Sequence, residues 1–261
     1  MLRTIAAGIA TAVISFGVAQ ANTIIVTPDS PLFGIEASGG GSAAITADAP
    51  RAGDGSVRLT GDRVRMFLLG NPYSPASNLG LLSELTAFGF DWSIDPASTN
   101  PYNPDYTPAL RLHIWDGAQR SELIWEGAYN GVYGNVTAGE WYAADMFGPD
   151  AGRMWRFESG VGETLVGGAL GLFTVENWVT SGLFSANAYI AAISIGVGGG
   201  ASGDYLAYAD NIRLAFGGDV TTYNFETGAD TPVPVPGPAA LPLLATGLGL
   251  MALVRRRRAA A

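Results

Sequence analysis

The chain has 261 residues, 48% of them hydrophobic and 14% charged, with 36 glycines, 15 prolines, no cysteine and a formal charge of −9. That hydrophobic fraction supports a packed core and argues against general disorder. Without cysteine there is no disulfide framework, and one histidine with no cysteine cannot supply a zinc site.

Residues 1–21 carry one early charge, Arg3, then an apolar stretch from Ile5 to Ala19 and Ala19-Gln20-Ala21 before Asn22. The pattern predicts a secretory signal peptide with its cleavage site marked by Ala19 and Ala21, and hence export by the Sec route. The alternative is an N-terminal membrane anchor, for which the Ala-rich run is short. The next 205 residues, 22–226, are long enough for one sizeable core. Leaving out Arg3 and the four arginines near the C-terminus, nine arginines face 23 acids, so the exported part carries 9 − 23 = −14. Nucleic acid and anionic lipid are poor partners for such a surface.

The predicted elements follow in order. Thr23 to Thr27 reads as a strand stopped by Pro28, and Ser38-Gly-Gly-Gly-Ser as a flexible turn. Val57 and Leu59 alternate in one strand, and Val64, Met66 and Leu68 in the next, with Gly61-Asp62 predicting a tight hairpin between them. Ser74 to Leu85 reads as a loop with at most one helical turn. Phe88, Phe90, Trp92 and Ile94 then share one face of a buried strand, and the proline-rich stretch from Asp95 to Pro108 is a loop. From Ala109, alternation points Leu110, Leu112 and Ile114 inward and Arg111, His113 and Trp115 outward. Strands follow at Leu123–Glu126, Glu140–Ala144 and Arg153–Glu158. Val175, Trp178 and Val179 have helical spacing, which predicts a short surface helix over Thr174–Ser181. Ala188–Val197, Leu206–Phe216 and Val220–Phe225 complete the domain, the last two as a hairpin around Gly217-Gly218. The expected class is all-β: a jelly-roll β-sandwich of about ten or eleven strands.

The C-terminus changes character. Residues 227–238 form a Pro-rich linker containing Val233-Pro234-Val235-Pro236, stiff because each proline ring restricts φ. Residues 239–254 are free of charge, and 255–261 begin with Arg255, Arg256, Arg257 and Arg258. The apolar run predicts a single short transmembrane helix with the arginines on the cytoplasmic side. Its 16 residues make about 24 Å of helix, short for a bilayer core of about 30 Å, which suits a temporary stop better than a permanent anchor.

This three-part tail resembles the PEP-CTERM sorting signal, in its VPLPA-CTERM variant, with Val235 where the variant has leucine and Gly237-Pro238 inserted before Ala239. The resemblance implies recognition by an exosortase-type membrane protease or transpeptidase in a Gram-negative bacterium, with cleavage near the prolines. It further implies transient residence in the inner membrane, then the cell surface or the extracellular space, and an exopolysaccharide or biofilm setting. The domain upstream is similar to a recurring cargo domain of such proteins. The likeness is carried by Gly89-Phe-Asp-Trp92, Ala109-Leu-Arg-Leu112, Leu123-Ile-Trp-Glu-Gly127, Tyr208-Ala-Asp-Asn-Ile-Arg-Leu214 and Thr221-Thr-Tyr-Asn-Phe-Glu226. The Asp-Asn-Ile strand also resembles the end of many galactose-binding-like and carbohydrate-binding jelly rolls.

No catalytic set stands out in the sequence. There is no Gly-x-Ser-x-Gly elbow, and a lone His113 on a sheet face reads as an ordinary surface histidine. Paired carboxylates for glycoside hydrolysis are defined by separation in space, which sequence does not show. Alternation predicts Asp210 on the same face as Ile212, Leu214 and Phe216, where a carboxylate needs a cation or backbone N–H groups. Resemblance to jelly-roll binding modules implies a structural Ca²⁺ held by Asp210 with Asp48 and Asp54 as fellow ligands; capping by backbone amides is the alternative. Trp115, Tyr129, Tyr133, Trp141, Tyr142 and Trp155 lie at or beside loops and make a candidate glycan platform, unless they are core. Two readings therefore stand ahead of a hydrolase: a non-enzymatic surface or matrix protein, and a carbohydrate-binding module.

Overall fold

The computed structural model describes residues 22–37, 39–100, 103–201 and 204–228. The expected signal peptide, sorting motif, transmembrane helix and arginine stop lie outside the described residues. Among the described residues no helix is long and apolar enough to cross a membrane.

The chain is mostly β. Its strands are β1 (Asn22–Val26), β2 (Gly34–Ala37), β3 (Ser42–Thr46), β4 (Ser56–Thr60), β5 (Val64–Gly70) and β6 (Gly80–Leu81). Then come β7 (Leu85–Ile94), β8 (Ala109–Asp116), β9 (Gln119–Trp125), β10 (Trp141–Asp145), β11 (Met154–Glu158) and β12 (Gly162–Glu163). The last are β13 (Leu165–Val166), β14 (Ala169–Leu170), β15 (Leu172–Phe173), β16 (Tyr189–Val197), β17 (Leu206–Phe216) and β18 (Thr221–Phe225), with one helix, α1 (Val175–Thr180), before β16. The ten or eleven expected strands match most of the longer ones. The difference comes from β2 and β3, which flank the glycine turn, and from two-residue strands too short to show a period.

Two sheets face each other. In the seven-stranded sheet β10 pairs β7 and β7 pairs β17; the other edge of β17 is shared by β4, followed by β3, and β18, followed by β1. The nine-stranded sheet runs β12-β11-β9-β8-β16-β5-β2, with β15 also on β11 and β6 also on β16. One continuous core fills the space between them, and Phe90 and Trp92 of the first sheet meet Trp125 of the second at ring-centre distances of 5.4 and 6.2 Å. Phe88, Phe90, Trp92 and Ile94 are all buried as their alternation predicts, and so are Leu110, Leu112 and Ile114. α1 forms where expected, capped by the Thr174 side chain, and buries Val175 and Trp178. The Trp178 indole N–H is satisfied by the Met154 carbonyl at 2.8 Å.

Three expectations are corrected. Gly61-Asp62 does not close a hairpin: β4 lies in the seven-stranded sheet and β5 in the nine-stranded one, so the segment is a crossing between layers. Gly61 and Arg63 adopt φ of +70° and +52° to make it, and a Cβ on Gly61 would sit 2.8 Å from the Gly40 carbonyl oxygen. Local alternation and a Gly-Asp pair fit a hairpin equally well; the strands that pair with each partner decide otherwise. Second, Arg111 and His113 do point away from the core, but both are buried, at 3% and 0% exposure. Third, Asp210 does not share a face with Ile212. In β17, Asp210 lies opposite Asp91 and Arg213 opposite Gly89, so two residues, Asn211 and Ile212, face the single Phe90. This β-bulge, with Asn211 at φ +49°, flips the phase of the strand and turns Asp210 to the outer face.

Candidate functional site

On the outer face of the nine-stranded sheet, register places His113 opposite Glu122 and Ser194 opposite Arg111. The Ser194 hydroxyl lies 2.8 Å from His113 Nε2, and His113 Nδ1 lies 3.5 Å from Glu122 Oε1. Burial pushes His113 below the usual imidazole range, so the ring is neutral near pH 7. Burial also pushes Glu122 up, but the contact with His113 and the charges of Arg65 and Arg111 prevail and hold it well below the usual carboxylate range. Arg120 adds a hydrogen bond to the same carboxylate at 2.9 Å. Serine, histidine and carboxylate thus stand in the order of a hydrolytic triad. All three are at most 3% exposed, so a substrate carbonyl has no path to the hydroxyl. Sequence missed this group because its members come from three strands, and period-2 alternation marks a side as outer without saying that it is covered.

A second cluster lies on the outer face of the seven-stranded sheet. Buried Asp91 accepts hydrogen bonds from Arg213 at 2.8 Å, Arg51 at 3.0 Å and Asn211 Nδ2 at 3.1 Å. Asp210 Oδ1 accepts from the backbone N–H groups of Asn211 and Phe225 at 2.7 and 2.9 Å. Burial raises the Asp210 carboxyl to about 7. The two proposed fellow ligands are engaged elsewhere: Asp48 pairs with Arg58 at 3.5 Å, and both oxygens of Asp54 hold Thr227. Among the described residues no three His, Cys, Asp or Glu side chains are grouped to hold a metal ion. Among the described residues Asp210 Oδ2 is buried with no hydrogen-bond partner, a feature that suits a cation. A carboxyl protonated at its raised pKa accounts for it equally. The set Asp210, Asp48 and Asp54 therefore does not fit calcium, and the backbone-capped aspartate describes what is found.

The third place is a cleft of about 540 Å³ at the mouth between the sheets. Trp92, Trp125 and Tyr142 line it, and Tyr142 stacks on Trp92 at 4.9 Å with 24° between the rings. Its lining also includes Tyr129, which is exposed, and Asp150 and Arg153 from the loop after β10. Asn130 fixes the loops around it, donating to the Glu126 and Arg153 carbonyls at 2.8 and 3.0 Å and accepting from Arg153 N at 2.7 Å. Asp145 lines it too and is tied to Arg213 at 3.0 Å.

The six loop aromatics do not form one platform. Tyr129 is in this cleft. Trp115 sits on the outer face of the nine-stranded sheet, bonded to the Pro72 carbonyl at 3.2 Å. Trp155 is on that face as well, opposite Ile124. Trp141 is on the seven-stranded sheet opposite Ser93, with the Arg51 guanidinium 5.9 Å from its ring centre. Tyr133 is half-buried in the loop before β10, its hydroxyl pushed well up, first by burial and then by nearby Tyr106 and Glu126. Of the others Tyr142 does join Tyr129, stacked on Trp92, which strand alternation places in the core. Compared with family models and with curated protein sequences, the chain matches none.

Proposed function

We propose that this chain is an exported, non-enzymatic cell-surface or extracellular-matrix protein whose jelly-roll ectodomain binds polysaccharide through the cleft at the sandwich mouth. Export and sorting rest on the two ends of the sequence: the signal-peptide pattern with Ala19 and Ala21, and the Val233–Pro236 motif, apolar run and arginine stop that resemble a PEP-CTERM signal. In this reading an exosortase-type protease acts at the tail, and the inner membrane is a transient station. The jelly-roll assignment draws its support from the chain's repeated crossing between the two sheets, from β4 to β5, β7 to β8, β9 to β10 and β16 to β17.

The observation that carries a binding role is the cleft itself. Sugar rings present apolar faces and hydroxyl edges, and a wall of Tyr142 on Trp92 with Tyr129, Asp150 and Arg153 beside it offers both stacking and hydrogen bonds. Retention of the exported chain on immobilised polysaccharides tests this. Retention that is lost in Tyr129→Ala supports the cleft. No retention on any polysaccharide leaves the purely structural surface protein, and shortened polysaccharide in the eluate would replace binding with glycoside hydrolysis. Intact mass of the protein recovered from the producing cell tests the sorting: a C-terminus still bearing Arg255–Arg258 would sink it.

A further inference from the structure

A second concavity, of about 220 Å³, lies where Glu36, Arg63, Arg65 and the Val197-Gly198-Gly199 turn meet on the nine-stranded sheet. Four of the nine arginines of an otherwise acidic domain gather on this side: Arg63, Arg65, Arg111 and Arg120. Their counter-charges are spoken for. Glu122 serves Arg120 at 2.9 Å and Arg65 at 3.5 Å. Glu36 accepts from the Tyr73 hydroxyl at 2.9 Å, and Asp62 accepts from Gly200 N at 3.3 Å while facing Arg63 at 3.8 Å.

Arg111 is left over. It is 3% exposed, its Nε is 3.9 Å from Glu122 Oε2, an ion pair too long for a hydrogen bond, and among the described residues Nε and Nη1 have no hydrogen-bond partner. Burial first, and Arg65 second, depress its pKa, the mark of a guanidinium short of negative charge. Glu122 and Glu126 act on it in the opposite sense, and its pKa nevertheless stays below the ordinary value. What separates Arg111 from the concavity is Gly198: a Cβ there would lie 3.3 Å from the Tyr106 hydroxyl, 3.8 Å from Glu126 Oε1 and 3.9 Å from Arg111 Nη2. The glycine leaves that space open, with Arg111 and the Glu126 carboxylate both at its edge, beside a hollow bordered by Arg63, Arg65 and Glu36.

We propose that this hollow is a binding site for one compact oxyanion: a carboxylate, sulfate or phosphate group carried by an acidic saccharide. Guanidinium forks match such groups in a way ammonium groups do not. Everywhere else a −14 domain repels polyanions, so the hollow sets which acidic group is accepted and in what orientation. The site is separate from the mouth cleft and does not depend on it.

Calorimetric titration of the exported chain with glucuronate, sodium sulfate and inorganic phosphate, each alone, tests the proposal and identifies the group. The expected result is saturable binding of at least one, weakened several-fold between about 50 and about 300 mM salt. Arg65→Gln should weaken it by about tenfold or more, since one charge-assisted contact is lost. Glu36→Gln should tighten it by a few-fold, because a carboxylate leaves the rim, and Gly198→Ala should weaken it by filling the gap. Tyr129→Ala in the mouth cleft should leave it unchanged. Melting curves identify any variant that fails to fold, and Glu36→Gln keeps the test alive there because it predicts a gain. No binding of any of the three anions, or binding indifferent to Glu36→Gln and Gly198→Ala in folded protein, overturns the site.

Discussion

His113 Nε2 and Ser194 Oγ lie 2.8 Å apart on neighbouring strands, both fully buried on the side of the sheet that faces away from the core. The pair turns what would be a solvated sheet face into a second, polar interior. Its stability is tied to completeness, because each buried polar group needs its partner.

Removing one partner measures this. Ser194→Ala leaves a buried ring nitrogen unsatisfied and should cost about 1–3 kcal/mol in urea unfolding. Glu122→Gln is the harsher change: it strips the carboxylate from among Arg65, Arg111 and Arg120 and should cost about 3–5 kcal/mol. Equal effects of the two variants would mean that the arginines do not rely on Glu122.

The Asp210 carboxyl makes stability depend on pH with a defined sign. Its folded pKa is raised from 3.8 to about 7, so between those values the folded state holds a proton that the unfolded state has lost. The stability it contributes is full below about pH 4 and is lost as pH rises towards 7, an effect on the order of a few kcal/mol. His113 works the other way. Its folded pKa is lowered, so the protein loses stability as pH falls below the unfolded value of 6.5. Asp210→Asn, a permanent mimic of the protonated acid, should reduce the decline to the part left by Glu126 and Glu226, whose carboxyls burial also raises, and leave the His113 dependence alone. Unfolding free energies at pH 5 and pH 8 for both proteins check it; an unchanged decline in the variant refutes the assignment to Asp210.

The bulge in β17 rests on Asn211 at φ +49°, a conformation that asparagine tolerates and β-branched residues do not. Asn211→Val should destabilise by about 2 kcal/mol or more, combining backbone strain with the lost hydrogen bond to Asp91. Asn211→Gly loses only the side-chain bond and should cost less. If glycine were the worse substitution, the strain argument would fail.

Asp48 and Asp54 separate the two accounts of the acidic residues near Asp210. Asp54 fastens Thr227 through both oxygens, at 2.9 and 2.7 Å, so Asp54→Ala should free the chain after β18 and cost about 1–2 kcal/mol. Asp48 makes one long pair with Arg58 at the surface, and Asp48→Ala should cost under about 0.5 kcal/mol. Millimolar calcium should leave the melting temperature of all three proteins unchanged; a calcium shift in the parent that both variants lose would restore the metal reading.

Much of the fold is legible in particular residues. Strict alternation through Phe88, Phe90, Trp92 and Ile94, and again through Leu110, Leu112 and Ile114, is a local property that survives into the core. The Gly217-Gly218 hairpin and the Val175–Trp178 helix face are local as well. The candidate sites were far less visible. Of the six loop aromatics only Tyr129 and Tyr142 line the mouth cleft, and their companion Trp92 carried no sign of it, since a residue can be core on one edge and cleft wall on another.

What the sequence determined by itself is whatever depends on neighbours along the chain: the all-β class, most strand positions and the inward faces. The tertiary structure decided what depends on neighbours across strands. It turned Gly61-Asp62 from a hairpin into a crossing, because each flanking strand bonds a different sheet. It turned Asp210 outward, because one extra residue in a pairing reverses the phase of all that follows. It also buried His113, Arg111 and Glu122 on the outer face, because period-2 alternation reports the side a residue points to and not what covers it.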